Sequence, residues 1–494
     1  MVPTTPARWS DLANSWVANE KRFSRARWAI LAIAGIAGAF APLAAVLVLG
    51  SILVAALLWR HPSVLPLALI AVMGNTKFNF YLGFVTVFPE YVILAVWGLI
   101  LVLRWLEQPA PLEEGGFLWL FAALTFAGVL SCIMAIEMRP ALARAFIIPV
   151  AGAAFWSTLT GIRTRAHVSR ALIALQWSVA IGAAFGVAQM IAIAVFKRNL
   201  DLGFLRRFGN PEFEYSIGAP VIHQLTSTFR ANGLFNDPNI FGGFLAAMIP
   251  ILAALALGPW ASASRARFVS VWSTLALGVI ALILSLSRSG VLAAVVGMGV
   301  LLLLRPSWLR SPRLWTGLGA LVVAGVSVAA VAGVKVFLIV ARLMGSFSSH
   351  DVSARTHESA FVFALELFAR FPITGVGLRN FGAHYGRELE PGATSMMAHN
   401  AFVGWLAESG VVGGVAMAAL LIVIVTQVRR AWRSSALESR DPEMHALLAG
   451  MLAAFAAMAV SNVFYDFWLR SFVWVVFGFA VALARLVRAS ERPE

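Results

Sequence analysis

Residues 268–304 read FVSVWSTLALGVIALILSLSRSGVLAAVVGMGVLLLL, two apolar runs separated only by the short step from Ser285 to Ser289. A helix needs about 20 mostly apolar residues to cross the bilayer hydrocarbon, and roughly 17 when it is short. Each run meets that length, and Arg288 is the only charge between Phe268 and Leu304. The stretch therefore predicts two antiparallel membrane helices joined by a two- or three-residue connection, with Arg288 fixed at the membrane boundary. The whole chain has this texture. Of its 494 residues 60% are hydrophobic and 12% charged, with a mean hydropathy of +0.84, whereas an ordinary soluble domain carries roughly a quarter of its residues as charges. A soluble globular protein is excluded, and 35 Phe and 17 Trp exclude disordered and collagen-like chains.

Scanning outward gives fourteen candidate spans, near 28–41, 43–59, 63–75, 88–105, 116–136, 143–160, 170–196, 238–257, 268–286, 289–305, 314–340, 400–427, 445–463 and 468–489. The first three are weak as separate spans, because 28–59 is one apolar stretch split only by Gly38 and Pro42. The expected fold is an all-α polytopic membrane protein with 12 to 14 transmembrane helices and two long external loops. It divides into a cytoplasmic segment 1–27, helices over 28–196, a loop 197–237, helices over 238–340, a large loop 341–399 with an interfacial helix, and helices over 400–489. Met1 to Arg27 is polar and ends in Lys21, Arg22, Arg25 and Arg27, so it reads as a cytoplasmic segment rather than a cleavable signal. Cys132, the single cysteine, lies in an apolar run and can form no intramolecular disulfide.

The 38 Lys and Arg against 23 Asp and Glu leave a formal charge of +15. In a membrane protein such an excess first marks cytoplasmic loops. With the amino terminus inside, 22 of the 38 basic residues fall on the cytoplasmic side, every cytoplasmic loop has at least one, and both termini are inside. The other 16 are external, and ten crowd into 197–237 and 341–399. Those two loops break the usual bias and need another reason for being basic. Within the second, Arg355 to Arg370 is helical in pattern and too short to span, with Asp351 or Ser353 as its cap and the membrane surface as its bed. The glycine- and aromatic-rich segment FPITGVGLRNFGAHYG that follows suits the wall of a polar ligand site.

Ionisable groups at a membrane edge are costly enough to be functional candidates. Arg288 either binds phosphate with both arms of its guanidinium or snorkels to lipid and caps a helix. Asp237 and Pro238 read as an N-cap and first helical residue, an architectural pair. Arg230 and Asn239, on either side of them, are less easily explained by architecture, and Gly233 permits a turn or a close approach. His399 and Asn400 precede the span at 400–427; the imidazole is placed either to take a proton or to cap the helix. Glu408 is near half a helical turn out of phase with His399 and is expected on another face. No DxD pair, HExxH or HxxxH motif, P-loop or dinucleotide fingerprint is present, so neither a metal nor a cofactor is expected.

The order TSTFRANGLFNDPNIFGGFL, LSLSRSGVLAAVVG, an Arg-led helix into FPITGVGLRNF, then HNAFVGWLAESGVVGG resembles the O-antigen ligase and O-antigen polymerase family over about residues 225 to 425. The resemblance implies a membrane glycosyltransferase of the GT-C type in the bacterial inner membrane. Such an enzyme takes a glycan from an undecaprenyl-pyrophosphate donor and transfers it, without a metal and with inversion, to a sugar hydroxyl at the periplasmic face. By similarity Arg230 and Arg288 contact the pyrophosphate and His399 deprotonates or orients the acceptor, with Arg207, Arg355, Asn239 and Asn400 as further substrate-binding positions. The chain's size leans to a polymerase of an exopolysaccharide or O-antigen over a ligase acting on lipid A-core. A lipid-linked-glycan flippase or other transporter is the rival from another class. Transporters place polar groups and broken helices near the bilayer midplane, and this sequence concentrates its polar groups at one boundary.

Overall fold

A computed structural model of the chain describes residues 64–75, 80–81, 86–107, 115–196, 200, 230–331, 352–390, 396–434 and 437–491. The candidate spans 28–41 and 43–59, most of the loop 197–237, and residues 341–351 lie outside the described residues. The described chain is helical apart from its turns and an antiparallel pair of two-residue strands, Phe80–Tyr81 with Thr86–Val87. In order, the helices are α1 (Val64–Val72), α2 (Pro89–Glu107), α3 (Gly115–Ser131), α4 (Met138–Gly161) and α5 (Arg165–Phe196). There follow α6 (Pro238–Leu257), α7 (Arg265–Leu284), α8 (Arg288–Leu304), α9 (Pro312–Val331), α10 (Val352–Arg370) and α11 (Phe381–Glu388). The chain closes with α12 (Ala401–Trp432), α13 (Pro442–Phe464) and α14 (Ser471–Ser490). Two four-residue helices, Pro259–Ser262 and Leu437–Arg440, and short 3-10 turns lie between them.

Among the described residues, eight helices are long and apolar enough to cross a membrane: α3 with its 3-10 extension, α4, α5, α6, α7, α12, α13 and α14. The shorter apolar helices Pro89–Val102 and α8 join them. The candidate at 63–75 is a helix of nine residues, about 13 Å at 1.5 Å per residue, which is half of what hydrocarbon requires. The tandem stretch 268–304 folds as read: α7 ends at Leu284, α8 begins at Arg288, and three residues connect them.

Helix α6 sits at the centre, and its 18-residue apolar window is wholly buried. It is apolar on every side, PNIFGGFLAAMIPILAALAL, the pattern of a helix surrounded by protein. Helices α7, α8 and α13 pack around it. At the α6–α8 crossing the backbones nearly touch: a Cβ on Gly290 would lie 2.9 Å from the Gly242 carbonyl carbon. Small residues permit such crossings where tight packing must replace the hydrophobic drive between membrane helices.

Helix α12 is broken. Gly410 takes φ 63° and ψ −168°, which separates Ala401–Ser409 from the longer run that follows. The loop 371–380 repairs the broken ladder from outside. Val376 and Gly377 donate to the carbonyls of Ala407 and Glu408 at 2.9 and 3.0 Å, while Val411 and Val412 donate to those of Pro372 and Ile373 at 2.8 and 3.4 Å. The contact is so close that a Cβ on Gly375 would lie 2.3 Å from the Glu408 carbonyl carbon, and one on Gly410 2.1 Å from the Ile373 oxygen. Asn380 ties the same loop to the start of α4, accepting from the Glu137 N–H at 2.7 Å and donating to its carbonyl at 3.2 Å.

The helix expected at 355–370 begins earlier, at Val352, so Ser353 lies inside it and does not cap it; Asp351 lies outside the described residues. Its buried face, Ala360, Phe363, Ala364 and Leu367, packs on Val376, Phe381, Tyr385 and Ala407. The apolar residues expected to meet the membrane surface are thus divided: one face is covered by the chain's own loop, and Phe361, Val362 and Leu365 remain exposed.

Replacing Gly375 by Ala should drive backbone into backbone and lower the folded yield and Tm of the purified protein by several degrees. Gly299→Ala, at an exposed helical position with nothing within 4 Å, should leave Tm unchanged or slightly raised. Equal Tm values for the two variants would contradict the closeness of the α12 latch.

Candidate functional site

The starts of α2, α4, α6, α8, α12 and α14 meet the ends of α7 and α13 at one end of the bundle. Glu90 with Ser471, Arg144 with Asp466, Ala231 with Leu284 and Phe402 with Trp468 are the contacts that gather them. The opposite end carries the pairs Arg305–Glu438 and Arg165–Asp441 and the bond from Arg488 to Gln427.

At the first of these ends the turn before α6 is folded against the turn between α7 and α8. Ala231 donates its N–H to the Leu284 carbonyl at 3.0 Å, and the Arg230 Nε donates to the Ser285 carbonyl at 2.9 Å. Gly233, at φ 54°, lets the chain reverse with its Cα against Phe241, and Gln189 on α5 bonds both the Gly233 N–H and the Asn232 side chain. Asp237 caps α6 by accepting from Asn239 and Ile240, with Pro238 at the first helical position. Asn239 in turn accepts from Arg230 Nη2 at 2.7 Å. Arg230 is 7% exposed, with its guanidinium donating to a backbone carbonyl and to a side-chain amide. Arg288 is half-buried at the first position of α8, directly after Ser287, which caps the helix by accepting from the Gly290 N–H at 3.3 Å. Two arginines distant in sequence thus flank one turn, near the positive N-termini of α6 and α8, which favours an anion there.

His399 stands at the start of α12 with φ 50°. Its ring stacks on that of His357 from α10, centroids 3.9 Å apart and planes 9° from parallel. Its Nδ1 is buried and has no hydrogen-bond partner among the described residues. Burial, then the neighbouring His357, pushes its pKa down from the ordinary histidine value to about 4, because both disfavour a charged ring. At neutral pH the imidazole is uncharged and able to accept a proton. Asn400 is the N-cap of α12, accepting from Phe402 and Val403 at 3.1 Å each. The side chain of Arg355 and all of Arg207 lie outside the described residues, though Arg355 is in α10.

The fold adds groups that the sequence left without roles. Arg144, inside the candidate span 143–160, pairs with Asp466 at 2.5 Å. Arg379, from the loop latched to α12, lies within electrostatic reach of Arg144, Glu408, Arg470 and Glu137. Glu408 accepts from the N–H groups of Arg379 and Phe381 and so starts α11. Tyr465 lies within electrostatic reach of Asp237, Arg230, Arg470 and Asp466; burial, then Asp237, pushes its phenol pKa up. Arg470 and Ser471 face Glu90 and Tyr91 across a small cleft. Chain position could not have revealed this cluster, whose members are up to 381 residues apart.

Backbone strain marks the same end. Leu286, Arg379 and His399 are the non-glycine residues with positive φ among the described residues, at 51°, 59° and 50°. Each costs about 1–2 kcal/mol relative to a right-handed or extended residue, and such strain collects where surrounding structure holds a functional turn.

Residues 273–418 match the family model described as O-Antigen ligase. The match contains Arg288, Arg355, Arg379, His399 and Asn400, whereas Arg207, Arg230 and Asn239 precede it. No match to the chain was found among curated proteins.

The pKa of His399 is directly measurable. In the purified chain labelled with 15N-histidine, its imidazole should titrate near 4, and His357→Ala should raise that value while burial keeps it below 6.5. Titration near 6.5 in the parent protein would contradict the buried, stacked geometry.

Proposed function

From the O-antigen ligase match, which supports assigning this multi-pass membrane protein to the O-antigen ligase and polymerase family, we propose that it is a metal-independent, inverting glycosyltransferase on a GT-C type scaffold. Its donor in this reading is a glycan on undecaprenyl pyrophosphate, its acceptor a sugar hydroxyl, and its working face the periplasmic face of the bacterial inner membrane. The observation that carries the reading is the joining of Arg230 to the turn of Arg288 through Ser285 and Leu284. This brings an arginine outside the matched segment to one inside it, at the N-termini of two helices.

The chemistry follows from charge. As the bond between the anomeric carbon and the phosphate oxygen breaks, negative charge gathers on the leaving pyrophosphate and positive charge on the sugar ring. Arg230 and Arg288 supply fixed cationic donors where that negative charge develops, the role a divalent cation fills elsewhere. The acceptor hydroxyl attacks from the opposite face and inverts the anomeric centre. Its proton passes to the uncharged ring of His399. A ring whose pKa is about 4 takes the proton late, once bond formation has made the hydroxyl oxygen acidic. Asn239 positions Arg230, and Asn400 fixes the start of the helix that follows His399.

A polymerase of lipid-linked repeat units and a ligase acting on lipid A-core share this chemistry. The chain's size favours the polymerase, and the product separates the two.

With purified protein and a lipid-linked oligosaccharide, Arg230→Ala and Arg288→Ala should each cut transfer by at least a hundredfold, since removing a donor aimed at developing charge costs about 10²–10³ in rate. His399→Ala should lose transfer and keep donor binding, and EDTA should have little effect. A ladder of longer lipid-linked glycans identifies a polymerase, and glycan on lipid A-core a ligase. Normal transfer by both arginine variants, or EDTA inhibition reversed by magnesium, would overturn the reading.

A further inference from the structure

Two of the three strained non-glycine turns hold residues of the proposed site: Leu286 lies two positions before Arg288, and His399 is itself the proposed base. The third strained residue is Arg379. Left-handed backbone suits glycine or asparagine, and an arginine there gains nothing for its own backbone. The conformation is imposed from both sides, because Gly377 is bonded to Glu408 through the backbone and Asn380 grips Glu137. The Arg379 N–H itself donates to the Glu408 carboxylate.

The guanidinium has no such anchor. It is exposed, and among the described residues it makes no hydrogen bond or ion pair. Of its charged neighbours, Arg144 pairs with Asp466 and the Glu408 carboxylate bonds the backbone of Arg379 and Phe381; Glu137 and Arg470 lie within electrostatic reach of the guanidinium without a bond to it. A rigid turn therefore presents a cation whose pairing needs are unmet. Arg379 lies within electrostatic reach of Arg470, and Arg470 and Arg230 both lie within reach of Tyr465. That chain of neighbours links it to the proposed pyrophosphate arginines without a direct bond to either, a placement that fits a sugar unit beside the transferred one.

Resting on the glycosyltransferase reading above, we propose that Arg379 is a specificity-determining residue that binds the carboxylate of an acidic sugar, of the uronate type, in the glycan substrate. A guanidinium meets a carboxylate with two parallel hydrogen bonds, so the site would select an acidic glycan over its neutral counterpart. A bilayer phosphate headgroup could satisfy the same cation, and the experiment separates the two sources.

The full chain, in nanodiscs of phosphatidylcholine alone, is given two undecaprenyl-pyrophosphate oligosaccharides that differ only in glucose against glucuronate. The parent protein should favour the glucuronate donor at least tenfold in kcat/KM. Arg379→Gly, which fits the left-handed backbone, should lose that preference through KM, stay within about twofold on the neutral donor, and show an equal or higher Tm. Arg379→Lys, which keeps charge and loses the fork, should fall between. An undiminished preference in Arg379→Gly, equal loss on both donors, or a lower Tm would overturn the proposal. So would a difference between parent and variant that emerges only when phosphatidylglycerol is added. Titration of a soluble glucuronate-containing oligosaccharide, which needs no turnover, should give binding at least tenfold tighter for the parent than for Arg379→Gly, and equal binding would overturn the subsite. Tight binding by a parent protein that transfers neither glycan would instead sink the glycosyltransferase reading and leave the subsite standing.

Discussion

Hydrocarbon offers no partner to a backbone N–H or C=O, so a membrane helix that breaks must find replacements within the protein. Helix α12 breaks at Gly410, and the replacements come from the backbone of residues 371–380. Much of the end of the bundle that holds the candidate site depends on that exchange. It holds a loop against a helix at a separation that only glycine at 375 and 410 allows. It starts α11 from the Glu408 carboxylate, ties the start of α4 through Asn380, and fixes the backbone that presents Arg379. A break of this kind resembles those of transporters, which line midplane cavities; here the gap is filled by the protein's own loop.

The second organising feature is the crossing of α6 and α8 at Gly242 and Gly290. Close approach of the two backbones places the α7–α8 turn over the start of α6, where Ser285 and Leu284 accept bonds from Arg230 and Ala231. The result is a pair of arginines beside two helix N-termini, with Tyr465 within electrostatic reach of Arg230, Arg470 and Asp466. Fixed charges of this kind are effective for a developing anion because they need no reorganisation as the charge forms.

Much of the membrane architecture was legible in the sequence because hydrocarbon thickness imposes a length, and charges or caps end each run. Helix α6 runs over 238–257, the bounds read from the sequence, with Asp237 as its cap. A connection of two or three residues carrying Arg288 was read from the run lengths; the fold makes it three, Ser285 to Ser287, and places Arg288 at the first position of α8. The break at Gly410 was not legible, since a glycine in an apolar helix has the same appearance whether or not a distant loop satisfies its neighbours. Arg144 counted as part of a span and Arg379 as one more loop charge until the fold brought them near Asp466 and Glu408. The stacking of His357 on His399 likewise joins loop positions that no local pattern pairs. Asn400, read from the sequence as a substrate contact, caps α12 in the fold.

The central claim is that this end of the bundle is a pyrophosphate site built by two arginines from separate segments. An experimental structure of the full chain in a nanodisc with undecaprenyl pyrophosphate bound tests it most directly. The account predicts pyrophosphate oxygens within hydrogen-bonding distance of both Arg230 and Arg288, with the Nδ1 of His399 facing the space beside the leaving phosphate. Pyrophosphate bound at the opposite end, or away from both arginines, would contradict it.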